Sequence, residues 1–258
     1  QGVRPEGEGY ENVFPCVYAV GHLVGNELRG CDGGVREVDR GFEFYAPQVF
    51  ARHPSRPGPA LLMGWAGNAD EDDHPSVGSG GWVHTMTVPR VLTLRDGRLV
   101  QRPATPLPDD AAELELAGAP VTGETRISEL RGHRSWHLEL EAEALETTGG
   151  SGRWGLRIGD EPCHVDIDLT LSASGTHLVV DRTTSRYARH GARRRVTASP
   201  SIRPRLEVLH DRSITEIVVG DGDIVFTLRS FVPPGSSGAT VRTDGILRLR
   251  SARARPLD

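Results

Sequence analysis

The sequence predicts an all-β protein built in two parts, and three observations predict it. Gly (31) and Pro (18) together make up about a fifth of the 258 residues, against roughly 12% in an average composition. Apolar residues alternate with polar ones in short runs broken every 8 to 12 residues by Gly, Pro, Asn or Asp, the pattern of antiparallel strands. Helical periodicity is almost absent. A hydrophobic fraction of 37% and a charged fraction of 25% are those of a folded chain, so disorder, collagen and coiled coil are excluded. No apolar run approaches the ~20 residues that span a bilayer as a helix.

Along the chain, Leu61-Leu62-Met63 reads as an apolar strand, and Trp82, His84, Met86 and Val88 fall on one face of another. Val91 to Leu94 and Leu99-Val100 flank Asp96-Gly97, a two-residue hairpin loop in which both positions tolerate positive φ. Three prolines between Pro103 and Pro108 deny donors to any sheet and stiffen the backbone. They place a connector at residues 103–109, between a first part (1–102) and a second (110–258). In the second part Trp136, Leu138 and Leu140 share a strand face, as do Val165, Ile167, Leu169 and Leu171. Gly220 to Asp223 turns the chain between Ile217-Val218-Val219 and Ile224-Val225-Phe226. About ten such strands suffice for two packed sheets.

The net charge is −5, and all 30 basic residues are Arg. They are scattered apart from Arg193-Arg194-Arg195, read as a solvated loop, so a concentrated nucleic-acid face is not expected. Asp70-Glu71-Asp72-Asp73 reads as a solvated acidic loop, since it lacks the Gly and terminal Glu of a calcium loop. Cys16, Cys31 and Cys163 are too few and too far apart for a disulfide framework or a zinc site; they read as bystander thiols and point to a reducing, cytoplasmic setting. No metal site, phosphate loop or serine elbow is present as a motif. Gln1-Gly2-Val3-Arg4-Pro5 has neither an initiating Met nor the regions of a signal peptide, and reads as a start in mid-domain.

Asp39-Arg40-Gly41-Phe42-Glu43-Phe44-Tyr45-Ala46-Pro47-Gln48 sets aromatics beside carboxylates, a pairing that suits sugars, whose C–H faces stack on rings and whose hydroxyls need acceptors. This segment is followed by Leu62-Met63-Gly64-Trp65-Ala66-Gly67, by Gly81-Trp82 through Val88-Pro89-Arg90-Val91-Leu92, and by Asp96 to Pro103. With Leu206 to Ile217, which contains Asp211-Arg212-Ser213, it resembles the family-32 glycoside hydrolases, the invertases and related β-fructosidases. The resemblance implies the last two blades of a five-bladed β-propeller over residues 1–102, then a C-terminal β-sandwich. It implies a carbohydrate substrate (sucrose or another fructoside) and no cofactor.

By motif position, Asp39 resembles the carboxylate on the aglycone side of the family's pocket and Trp65 an aromatic wall residue, with Tyr45 and Gln48 as further lining. Glu43 stands where Asp is common, and Phe42 occupies a variable position. No catalytic residue is assigned, because the family's three acidic motifs do not occur. Asn12, Asn26 and Asn68 are not followed by Asp-Pro, no Glu precedes a Cys, and no Arg-Asp-Pro exists. The expected identity is the C-terminal part of a retaining fructosidase, inactive alone and prone to self-association through unpaired propeller faces. The alternative is a non-catalytic carbohydrate-binding or accessory module.

Overall fold

The computed structural model describes residues 9–12, 14–31, 34–50, 58–67, 69, 74–188, 191–236 and 238–258. The acidic run at 70–73 and the opening pentapeptide lie outside them. In the first part, β1 (Val17–Tyr18), β2 (His22–Val24), β3 (Glu27–Arg29) and β4 (Arg36–Glu37) form two small antiparallel pieces, β1 with β4 and β2 with β3. A larger sheet follows from β5 (Tyr45–Val49), β6 (Ala60–Ala66), β7 (Thr85–Met86), β8 (Arg90–Arg95) and β9 (Arg98–Pro103), ordered β5-β6-β8-β9 with β7 also on β6. The β8–β9 turn has Asp96 at φ 50° and Gly97 at φ 68°, as an Asp-Gly hairpin requires. β9 runs through Pro103, one residue into the expected connector.

The strand expected from Trp82 to Val88 is cut to Thr85–Met86. Trp82 to His84 are loop, preceded by the four-residue helix α1 (Val77–Gly80) and Gly81 at φ 73°. Thr87 closes the ladder with its amide on the Gly64 carbonyl (2.9 Å) and its hydroxyl accepting from Gly64 N (3.0 Å). Pro89 then offers no donor, and the ladder on β6 is interrupted until Arg90 resumes it opposite Leu62.

The second part is one continuous eleven-stranded antiparallel sheet folded over on itself. Its strands are β10 (Ala112–Glu113), β11 (Pro120–Ile127), β12 (Ser135–Glu146), β13 (Gly152–Asp160), β14 (Cys163–Ser172), β15 (Gly175–Asp181), β16 (Arg193–Ala198), β17 (Arg205–Asp211), β18 (Ile214–Val219), β19 (Ile224–Arg229) and β20 (Ala239–Pro256). The 18-residue β20 pairs with β13 over Ala239–Thr243 and with β12 over Ile246–Pro256, so it passes from the layer β16-β15-β14-β13 to the layer β12-β17-β18-β19. Gly245 marks the crossing: a Cβ there would lie 2.3 Å from the Glu146 carbonyl. Trp136, Leu138 and Leu140 from one layer and Trp154, Ile167 and Leu169 from the other enter a single core, as their alternation predicts.

The Arg triplet is corrected. Arg193 to Arg195 open β16 rather than forming a loop, and the period of two turns Arg194 inward, 4% exposed, while its neighbours face water.

His210 is also enclosed, with its ring 5.1 Å from Trp136 and Nδ1 2.9 Å from the Thr215 hydroxyl. Burial pushes its pKa down to about 4. Because the unfolded value is higher, at 6.5, the neutral ring adds stability above pH 6.5 that is lost as pH falls toward 4. That loss amounts to about 3 kcal/mol at most. Urea unfolding of His210→Gln is expected to show a flatter dependence on pH over this window than the unsubstituted chain.

Candidate functional site

The segment from Asp39 to Glu43 lies along β19, the last strand of its layer. Arg40 N donates to the Val225 carbonyl (2.7 Å) and Phe42 N to that of Thr227 (2.8 Å). In the other direction β19 donates to side chains: Thr227 N to Asp39 Oδ1 (2.9 Å) and Arg229 N to Glu43 Oε2 (2.8 Å). Two carboxylates spaced four residues apart thus take the outward amides of an edge strand, which would otherwise be open to pairing with another chain. Gly41 permits this approach, since a Cβ would fall 2.0 Å from Thr227 O and 2.3 Å from its N.

Asp39, expected to line a sugar pocket, is 3% exposed, and both oxygens are engaged within the chain. Oδ1 also accepts from Gly41 N (2.8 Å), an Asx turn, and Oδ2 from Arg90 Nη1 (2.9 Å) and the Thr227 hydroxyl (2.7 Å). Arg90 continues to Glu216, with Nη2 and Nε at 2.7 and 3.1 Å from Oε2, while Val88 N donates to Glu216 Oε1 (2.6 Å). Burial works against the Arg90 charge, but Glu216 and Asp39 outweigh it and hold its pKa above the ordinary value. Burial pushes Glu216 up, only partly offset by Arg90.

Glu43 is likewise enclosed, in a two-point pair with Arg182 (Nη1–Oε2 2.8 Å, Nη2–Oε1 2.7 Å). Arg182 lies over the Phe42 ring at 3.9 Å, and Arg194 over the same ring at 4.2 Å. Arg194 reaches Glu11 (3.1 Å) and the Gly41 carbonyl (3.1 Å). Asp39 and Glu43 are therefore closed to a substrate, each locked to a cation. Buried pairs of this kind fix one docked arrangement more than they add net stability.

Tyr45 and Trp65 do come together. They are cross-strand partners with ring centroids 5.9 Å apart, half-buried, and the row extends to Phe14 on one side (5.0 Å from Tyr45). On the other side it runs from Trp65 to His84 (4.5 Å), His74 (5.2 Å), Tyr187 (4.7 Å) and Phe231, crossing from the first part to the second. A β-bulge between Tyr45 and Gln48, with Ala46 at φ 43°, alters the side-chain alternation at this point, a device common beside binding sites. Gln48 is exposed, paired with Met63. Sequence reasoning missed Arg90, Glu216, Thr227 and Arg182. Only Arg90 had a signal, as the charge that follows Pro89 in a strand otherwise apolar toward the core.

Such a structure, small sheets clamped by buried ion pairs onto a two-layer β-sandwich with an aromatic row across the seam, defines a two-part all-β scaffold. The model of the glycosyl hydrolases family 32 N-terminal domain matches residues 1–103, and that of the family's C-terminal domain matches residues 111–254. The chain belongs to glycosyl hydrolase family 32.

Among curated relatives, the sucrose-6-phosphate hydrolase of Staphylococcus xylosus is 30% identical over 246 residues, covering 95% of this chain and 48% of the relative. That of Bacillus subtilis is 29% identical, with the same coverage. Among solved structures, the sucrose-6-phosphate hydrolase of Lactobacillus gasseri superposes with a TM-score of 0.75 at 24% identity, over 96% of this chain and 49% of that one. The β-fructofuranosidase of Bombyx mori gives 0.71 at 23%, over 100% and 50%. The chain thus spans about half the length of the relatives it matches.

Proposed function

We propose that this chain carries the C-terminal portion of a retaining β-fructofuranosidase-type hydrolase, which in complete form releases terminal fructosyl units from sucrose or a related fructoside. The observation that carries this reading is the order of the two family matches along one chain, first N-terminal-domain, then C-terminal-domain. On this reading residues 1–102 supply the last two of five propeller blades, 103–109 the connector and 110–258 the sandwich. The connector is packed rather than free, with Leu107 buried and the Pro108 carbonyl accepting from Arg253 Nη2 (2.5 Å).

The half-buried rings of Tyr45 and Trp65, with Gln48 nearby, are the chain's contribution to the sugar pocket. Retention needs two carboxyl groups about 5 to 5.5 Å apart, one to attack the anomeric carbon and one to protonate the leaving oxygen. The motifs that bear them are absent from these 258 residues, and Asp39 and Glu43 are paired to Arg90 and Arg182. The purified chain is therefore expected to show no turnover of sucrose or raffinose; hydrolysis at an enzymatic rate, of order 1 to 1000 per second, would overturn this.

Exposed large apolar side chains concentrate in the first part: Leu23, Val24, Leu28, Val49, Phe50 and Leu94, against Ile246 and Leu257 in the second. Contiguous apolar exposure favours association. Self-association through the first part is the expected result, read by size-exclusion chromatography at several concentrations; a monomer at every concentration would contradict it.

A further inference from the structure

A cavity of about 350 Å³ opens at the end of the aromatic row, where Trp82 and Ser76 of the first part meet Phe231 and Arg134, Arg186 and Arg212 of the second. Its lining is cationic in a chain where acidic residues outnumber basic ones, 35 to 30. In another cavity two lining arginines are paired, Arg95 with Asp223 (2.7 Å) and Arg203 with Asp221 (3.6 Å). Among the described residues, none of the side chains of Arg134, Arg186 and Arg212 makes a hydrogen bond or ion pair. Three guanidinium groups without a carboxylate partner give this cavity a local positive charge, which an anion in the cavity would neutralise.

The backbone at the cavity also has a defined conformation. Arg212 stands at φ 53° in the two-residue turn between β17 and β18, and Phe231 at φ 46°. Glycine or asparagine adopts that region readily, whereas other residues are strained there. Arg212 belongs to the Asp211-Arg212-Ser213 stretch, which the seam does not use for its side chain. Arg212 N donates to the Arg134 carbonyl (2.9 Å), which fixes two of the three arginines side by side. Arg212 takes this conformation within its hairpin turn, as Asp96 does between β8 and β9, whereas Phe231 lies outside any turn, and strain of that kind is found at ligand clamps.

Guanidinium forks match phosphate oxygens in pairs, the indole of Trp82 and the ring of Phe231 offer flat apolar faces, and the volume is at the lower end of small-molecule sites. We infer that this cavity binds a small organic phosphomonoester, with its phosphate held by Arg134, Arg186 and Arg212 and its ring body against Trp82. This site does not depend on the fructosidase reading.

The test is calorimetric titration of the full chain with glucose 6-phosphate, AMP, inorganic phosphate and glucose at 0.15 M salt. At least one organic phosphate is expected to bind about tenfold tighter than inorganic phosphate, with glucose silent; the tighter of the two identifies a sugar or a nucleoside body. Absence of binding by both organic phosphates, or equal affinity for all three phosphates, overturns the proposal. Arg186→Gln and Arg212→Asn, the latter chosen because Asn accepts the left-handed backbone, are each expected to weaken binding about tenfold at an unchanged melting temperature. Unchanged affinity in both variants overturns it as well.

Discussion

Replacing Arg90 by leucine is expected to cost about 4 kcal/mol of stability, because it leaves Asp39 and Glu216 enclosed without their shared cation. For a chain of this size that is a fall of roughly 10 °C in melting temperature. The loss carries a pH signature. Burial already raises the Glu216 pKa, and Arg90 opposes it, so removal of the cation raises the folded value further. A carboxyl raised in the folded state binds its proton more readily there than when unfolded. Its stabilising contribution is present below the ordinary value of 4.5 and lost as pH rises through the folded one. The deficit of the variant is therefore largest near pH 7 to 8 and shrinks toward pH 5. Urea unfolding at three pH values checks both magnitude and direction. Arg95→Leu, which removes a partly exposed pair with Asp223, is expected to change stability little.

Gly41→Ala is the second large effect. A methyl group 2.0 Å from one backbone atom and 2.3 Å from another cannot be absorbed by a side-chain rotation, so the Asp39–Glu43 segment must lift from β19. Overpacking against backbone costs about 3 kcal/mol or more. Here it also breaks the hydrogen bonds of Arg40 and Phe42 to β19. The variant is expected to become sensitive to limited proteolysis near residues 103–109, where the two parts join. Gly149→Ala, with nothing within 4 Å of the added carbon and no positive φ, is expected to leave the digestion pattern unchanged.

The strands were legible wherever one face is buried and the other wet. Trp136-Leu138-Leu140 and Val165-Ile167-Leu169 point into the core as their alternation predicts, and both Asp-Gly-centred turns join paired strands. The family was legible from aromatic and glycine positions that need no tertiary information. The seam was not, because its partners are far apart in sequence: 188 residues separate Asp39 from Thr227 and 186 separate Glu43 from Arg229. No local period reports such a pairing. The aromatics and carboxylates of Asp39 to Gln48 suited a sugar site, but of those side chains only Tyr45 retains accessible surface, Phe42 and Phe44 being buried and both carboxylates turned into the seam. Arg194 shows the same limit. Three consecutive arginines look like a solvated surface until the pairing of β16 with β15 sends the middle one inward.

The central structural claim is that the carboxylates of Asp39 and Glu43 serve as hydrogen-bond acceptors for the edge amides of β19 and so hold the two parts as one body. Residue-resolved amide hydrogen exchange on the full chain tests it most directly. Thr227 N and Arg229 N are expected to be protected to the level of Ile217 in the neighbouring interior strand, and to lose that protection in the Asp39→Ala, Glu43→Ala double variant while Ile217 keeps its own. Exchange of the Thr227 and Arg229 amides at the rate of an exposed sheet edge in the unsubstituted chain would contradict the account.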